Sequence, residues 1–260
     1  MIESNYLIYQ INQYDTIYVT PMARETHLSD FLHYLATAEL DDEAERLPSL
    51  AALSKSLGMS VAGLREQLEV AKALGLVEVR PRTGIRRLPY NFFPTVQTSL
   101  AYALETDPGY FTAFADLRNQ LEAAYWDQAV CKLTPQDHRE LQALMAQAWD
   151  KLRGEPVQIP FDEHRRLHLC IFRRLENPFV LGLLDAYWDA YQAVGLSLYA
   201  DYGYLHQVWT YHQKMVDAVC AGDFAEGFQM LIQHKDLLYH HPLPAVKGRG
   251  KGKKVQEPTV

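Results

Sequence analysis

The chain has 260 residues, 48% of them hydrophobic and 22% charged, with a formal net charge of −7 at pH 7. That length accommodates a small domain and one of moderate size. No apolar run reaches the roughly 20 residues of a membrane-spanning helix, and the start lacks the charged-then-apolar pattern of a signal sequence. Cys131, Cys170 and Cys220 form an odd, scattered set, which fits reduced thiols and a cytoplasmic location better than disulfides.

Residues 1–20 read as an N-terminal extension. Tyr6, Ile8, Tyr9, Ile11, Tyr14, Ile17, Tyr18 and Val19 make it too apolar for a plain disordered tag. A helix through Leu28, Phe31, Leu32 and Leu35 follows, and the acidic run from Glu39 to Glu45 separates it from the next. Ser49 is placed to cap a helix carrying Leu50, Leu53 and Leu57, and Gly58 is placed to end it. Ser60 caps a second helix through Val61, Leu64, Leu68 and Ala71. Residues 74–80 and 84–88 then alternate apolar and polar side chains around Pro81-Arg82-Thr83, the pattern of a hairpin. Two short helices and a hairpin make a winged helix-turn-helix, assigned to residues 21–90.

Charge sharpens this reading. From Arg46 to Tyr90 eight Lys or Arg stand against three acids, Glu66, Glu69 and Glu78, within a chain that is acidic as a whole. A local cationic surface is what phosphate binding requires, because counterion release supplies nonspecific DNA affinity and a helix in the major groove supplies specificity. The plainer alternative is a solvated basic face on a protein-binding winged helix. The run Leu47-Pro48-Ser49, Leu53, Leu57-Gly58-Met59-Ser60, Leu64-Arg65-Glu66, Leu68, Leu74-Gly75-Leu76-Val77 and Gly84 resembles the DNA-binding domain of the GntR family of transcription regulators. The resemblance implies a double-stranded DNA operator met by Ser49, Ser60, Arg65, Arg80, Arg82, Gly84 and Arg86. Ala51 and Val61 stand where that family usually carries arginine, which removes two contacts and leaves the operator sequence open.

Beyond Pro94 strand signals vanish and long amphipathic patterns take over. They are broken at Asp107-Pro108-Gly109, Leu133-Thr134-Pro135, Arg153-Gly154-Glu155-Pro156, Asn177-Pro178, Asp201-Tyr202-Gly203 and Gly222-Asp223. The fold class is therefore mainly α, with an all-α antiparallel bundle of six or seven helices over residues 91–242. Residues 243–260, with Lys247, Arg249, Lys251, Lys253 and Lys254 among glycines, read as a disordered basic tail that adds DNA affinity or is inert.

The histidines give the bundle its chemistry. Phe161, His164, His168, Ile171 and Leu175 step at helical spacing, as do Leu205, Val208, His212, Met215 and Val219, and then Phe224, Phe228, Leu231, His234 and Leu238. In a hairpin folded at Gly222, His212 lies ten residues before the turn and His234 twelve after it, so their heights are nearly equal at about 1.5 Å per residue. Three helices thereby aim four imidazoles at one level. A single buried histidine is ordinarily just hydrogen-bonded. Four together incur a desolvation penalty at each ring, which one divalent ion would relieve at about 2.0–2.1 Å. Nitrogen donors favour Zn, with Ni, Fe or Cu as alternatives. His138, His206, His240 and His241 fall off these stripes and read as surface or terminal residues.

This half resembles the FCD effector domain that accompanies GntR-type DNA-binding domains, on His168 ahead of Asn177-Pro178, His212 before Ala218, Gly222-Asp223, and His234. In metal-binding members the first ligand is an aspartate four residues before the first histidine. Here His164 takes that place, and Asp162 and Glu163 point elsewhere on the helix. An all-imidazole set leaves the charge of the ion uncompensated and favours an anionic ligand. The resemblance further implies that Arg118 binds the carboxylate of a small effector, against the plainer alternative of a helix-surface pair with Glu122. The expectation is a homodimeric, ligand-responsive transcription regulator, not an enzyme. Two rivals remain: a metal-dependent hydrolase, for which no acidic base is read on the interior stripes, and a metal-free ligand-binding regulator.

Overall fold

Serines start the first three helices because a hydroxyl at the helix threshold can accept a backbone N–H that has no partner within the helix. Ser29 accepts from Leu32 at the head of α1 (Asp30–Thr37), Ser49 from Ala52 at α2 (Leu50–Leu57), and Ser60 from Gly63 at α3 (Val61–Ala73). The computed structural model describes residues 28–40, 45–82, 84–195 and 201–240. The expectations for residues 1–20, for Thr83, for the tail and for His241 lie outside these residues.

Between α2 and α3 the chain reverses at Gly58, whose φ of 66° is the left-handed conformation that a side chain disfavours. The Ser54 hydroxyl donates to the Met59 carbonyl across the same turn. Strands β1 (Val77–Arg80) and β2 (Gly84–Arg87) pair antiparallel, with Val77 opposite Arg87 and Arg80 opposite Gly84. Phe31, Leu35, Leu47, Leu53, Leu64, Leu68, Ala71, Val77 and Ile85 close one core beneath these elements. Arg87 contributes to it structurally: its guanidinium donates to the carbonyl of Leu35 in the last turn of α1, to that of Ala38 just past it, and to Glu45.

Among the described residues seven further helices follow: α4 (Phe93–Thr106), α5 (Tyr110–Val130), α6 (Pro135–Arg153), α7 (Phe161–Phe172), α8 (Pro178–Ala193), α9 (Tyr202–Ala221) and α10 (Phe224–His240). The reading of a mainly α chain is borne out. The breaks act as anticipated. Asn177 caps α8 with Pro178 in its first turn, Asp201 caps α9, and Gly222 ends it with φ 80°. Helices α9 and α10 form the hairpin read at Gly222, α5 packs on α7, α8 and α10, and α4 lies along α8.

The α6–α7 joint rests on one buried carboxylate. Asp137 completes a capping box with Thr134 and accepts from Arg173 and Arg174. Burial alone would raise its pKa, but the bonds from Arg174, Thr134 and Arg173 hold it well below the ordinary carboxylate range.

Two glycines set how the amino-terminal core meets the bundle. A methyl at Gly75, itself at φ 69°, would stand 2.5 Å from Cγ of Pro94, and one at Gly182 would stand 2.8 Å from the Phe93 amide nitrogen. The turn after α3 therefore sits on the start of α4, and α8 packs closely against the residues there.

Candidate metal centre

The three histidine stripes meet. His168 Nε2 faces His212 Nε2 at 3.1 Å. The ring centroids of His212 and His234 are 4.2 Å apart, those of His164 and His212 4.6 Å, and those of His164 and His168 5.1 Å. One donor atom from each of the four lies within 4.8 Å of every other. His168, His212 and His234 are buried, and His164 is half-buried with its Nε2 closed to solvent.

Aromatic rings form much of the wall around these groups. Trp188 meets His164 edge-on at 4.6 Å, and Trp209 lies 5.0 Å from His212. Nε2 of His164 and Nδ1 of both His212 and His234 have no hydrogen-bond partner. Each buried group left so costs about 1–3 kcal/mol. Burial first, and the neighbouring rings and Arg118 after it, push His164, His212 and His234 well below the usual imidazole pKa. They are neutral at neutral pH and carry lone pairs, the form in which imidazole binds a metal.

The donor set fits a divalent transition ion. Two nitrogens bound at 2.0–2.1 Å with angles between octahedral and tetrahedral stand about 2.8–3.4 Å apart, and the observed 3.1 Å between His168 and His212 falls within that span. His164, His168, His212 and His234 would hold the ion, which would supply a Lewis-acidic position for an anion.

Behind His168 lies a charged pair. Arg118 Nη2 donates to Glu122 Oε1 at 2.8 Å, and His168 Nδ1 stands 3.0 Å from that oxygen and 2.8 Å from Arg118 Nη2. If Nδ1 donates to Glu122, His168 Nε2 is left as a lone pair, the tautomer a metal needs. If Nδ1 accepts from Arg118, the proton sits on Nε2 and bridges to His212. Burial raises the Glu122 carboxyl, but Arg118, His168 and Lys235 together bring it below its ordinary value, so it is ionised. Burial likewise lowers His168, opposed by Glu122 and reinforced by Arg118.

This corrects two expectations. Arg118 and Glu122 do pair at helical spacing, but at 2% and 1% exposure they are interior residues, not a helix-surface pair. The guanidinium lies 4.7 Å from the Tyr187 ring and 5.6 Å from Trp188, the kind of stacking that compensates a buried cation. An acid also does reach the centre, from α5 and not from the three stripes. The signal for Glu122 was present: Phe111, Arg118, Glu122, Trp126 and Ala129 are buried on one face of α5, a helical spacing hidden by two charged members. Asp162 is exposed and Glu163 pairs with Lys151, so neither enters the centre. His206 is exposed against Trp149, whereas His138, expected at the surface, is half-buried with its Nε2 enclosed.

A cavity of about 20 Å³ lined by Phe161, His164, Tyr191, Tyr204, Leu205 and Trp209 borders the centre, the room of roughly one water molecule. On the other module Arg65 projects exposed from α3, Arg80 is exposed and pairs with Glu78, and Arg82 stands at the hairpin tip with φ 67°. Gly84 opens β2 at φ 84°. Arg86 is half-buried, and its backbone bridges to Arg46. Ser49 and Ser60 act as caps, and Ala51 is exposed in the first turn of α2.

The chain thus joins a winged helix to a helical bundle with an enclosed polar centre. Residues 113–236 match the FCD domain family, so the chain carries an FCD domain over this span. Among solved structures it is similar to Streptococcus agalactiae GntR, at 15% identity over 75% of this chain and 88% of that one with a TM-score of 0.56, which shows a shared fold. E. coli McbR/YncC matches at 20% identity over 80% and 91% of the two chains with a TM-score of 0.44. A GntR-family transcriptional regulator from Pseudomonas syringae pv. tomato matches at 14% identity over 73% and 72%, with a TM-score of 0.36. No curated protein matches the chain. No helix among the described residues is long and apolar enough to cross a membrane.

Proposed function

We propose that this chain is a homodimeric, DNA-binding transcription regulator whose operator affinity is set by a divalent transition metal and a small carboxylate at the four-histidine centre. The observation that carries the metal half is the convergence of four imidazoles, three buried and His164 half-buried with its Nε2 enclosed; His164, His212 and His234 each keep a nitrogen that has no other partner. Zinc suits four neutral nitrogens, and nickel, iron and copper are chemically close. An all-nitrogen shell leaves two positive charges on the ion, so an anionic effector gains most by joining it.

The DNA half rests on the exposed Arg65 of α3, with Arg80, Arg82 and Arg86 along the hairpin. One recognition helix gives modest affinity, and a two-fold pair reads a palindrome. Effector binding would change the relative orientation of the two reading helices and so shift the population able to bind. Elemental analysis of purified protein, paired with gel shifts on the promoter beside its own gene, tests both halves. About one equivalent of transition metal per chain is expected, with DNA affinity altered by chelation. A metal-free protein whose stability is unchanged in His212→Ala would defeat the metal half, and failure to shift that DNA would defeat the other.

A further inference from the structure

Arg118 is a buried cation already in use. Its partner Glu122 sits one helical turn away on α5 and meets it through a single oxygen, Oε1, at 2.8 Å. The fit is incomplete on both sides: Nε of Arg118 and Oε2 of Glu122 are both enclosed and without a hydrogen-bond partner. A guanidinium and a carboxylate bind best as a two-pronged fork. In this pair Oε1 is instead shared between Arg118 and His168, and the second prong is unmade. A carboxylate not tethered to α5 is free to turn and fill both.

We propose that Glu122 is a resident carboxylate that occupies Arg118 in place of an effector, so that a small organic acid binds by displacing it. Glu122 is then the residue that sets the threshold for effector binding: the receptor is closed until an acid outcompetes an internal one. The displaced Glu122 also releases His168 Nδ1, which ties occupancy of Arg118 to the orientation of a proposed metal ligand. This extends the carboxylate-sensing reading and rests on it for the biological ligand, but the competition at Arg118 needs no ion.

The test uses the full chain with formate and acetate as probes, with chloride at equal ionic strength as the control. Glu122→Ala vacates the position beside Arg118. Its melting temperature should climb with formate, and calorimetry should give an affinity tighter than wild type by on the order of tenfold or more, because an internally occupied receptor weakens apparent binding by the fraction occupied. Adding Arg118→Ala should abolish the response. Equal formate binding by wild type and Glu122→Ala, or binding that persists in the double variant, overturns the proposal. Glu122→Asp keeps the charge and shortens the reach, and serves if the alanine variant does not fold: it should bind formate more tightly than wild type, and an unchanged affinity overturns the proposal. Titrations with and without zinc separate this outcome from failure of the metal reading. If Glu122→Ala binds formate while no organic acid alters DNA binding by wild type, Glu122 keeps its role and the effector class falls.

Discussion

Without a bound ion, acid should unfold the helical half early, and the centre sets by how much. His164, His212 and His234 are held well below 6.5 by burial and then by their neighbours, whereas in the unfolded chain each titrates near 6.5. A base with a depressed folded pKa is neutral when folded, so the unfolded state takes up protons first as pH falls. The stabilisation is complete above about pH 7.5 and is lost from 6.5 downward towards the folded values. At pH 5.5 each such ring contributes a loss of up to about 1.4 kcal/mol, and three together up to about 4 kcal/mol, a large share of the roughly 5–15 kcal/mol that holds a domain together. Urea titrations of chelator-treated protein measure it, with tryptophan fluorescence as the signal: Trp126, Trp149, Trp188 and Trp209 all lie in the bundle. Zinc should move the loss to lower pH, because protons must then displace the ion. Equal stability at pH 7.5 and 5.5 without metal would refute the reasoning, since it would mean that the rings are charged or solvated when folded.

Two further outcomes follow from the reading module and from the joint between modules. Arg65→Ala should weaken binding to all DNA sequences and lower the salt slope by about one if it contacts phosphate, or relax specificity at one base pair and cost about 1–3 kcal/mol if it contacts a base edge; a gel-shift salt series tells which. Gly182→Ala places a methyl 2.8 Å from the Phe93 amide nitrogen, so it should destabilise by about 1–3 kcal/mol as overpacking does, read by thermal melting, with the α4–α8 joint giving way first.

The sequence spoke most clearly where polarity follows helical spacing. The caps Ser49 and Ser60, the reversal at Gly58, the hairpin and the three histidine stripes were legible because each rests on local chemistry. Among the described residues seven helices run from Phe93 onward, within the six or seven read, because Pro and Gly mark their ends. Glu122 was not legible in this way. Its face of α5 mixes Phe111 and Trp126 with Arg118 and Glu122, so a rule that equates charge with solvent assigns the pair to the surface. Only the tertiary setting, with Tyr187 and Trp188 against the guanidinium and His168 against the carboxylate, shows that the charges neutralise each other inside. Charge counting misled in one more place: Arg87 adds to the cationic tally of the reading module but is spent on the carbonyls of Leu35 and Ala38.

Helix α8 touches both ends of the molecule's business. Trp188 forms one wall around His164 and His168, and Gly182, about 9 Å back along the same rod, bears on Phe92 and Phe93, where the bundle begins. The turn at Gly75 sits on Pro94, the very next residue. Under the proposed function, a tilt of α8 to admit something larger than one water beside His164 would bear directly on the joint between the bundle and the winged helix.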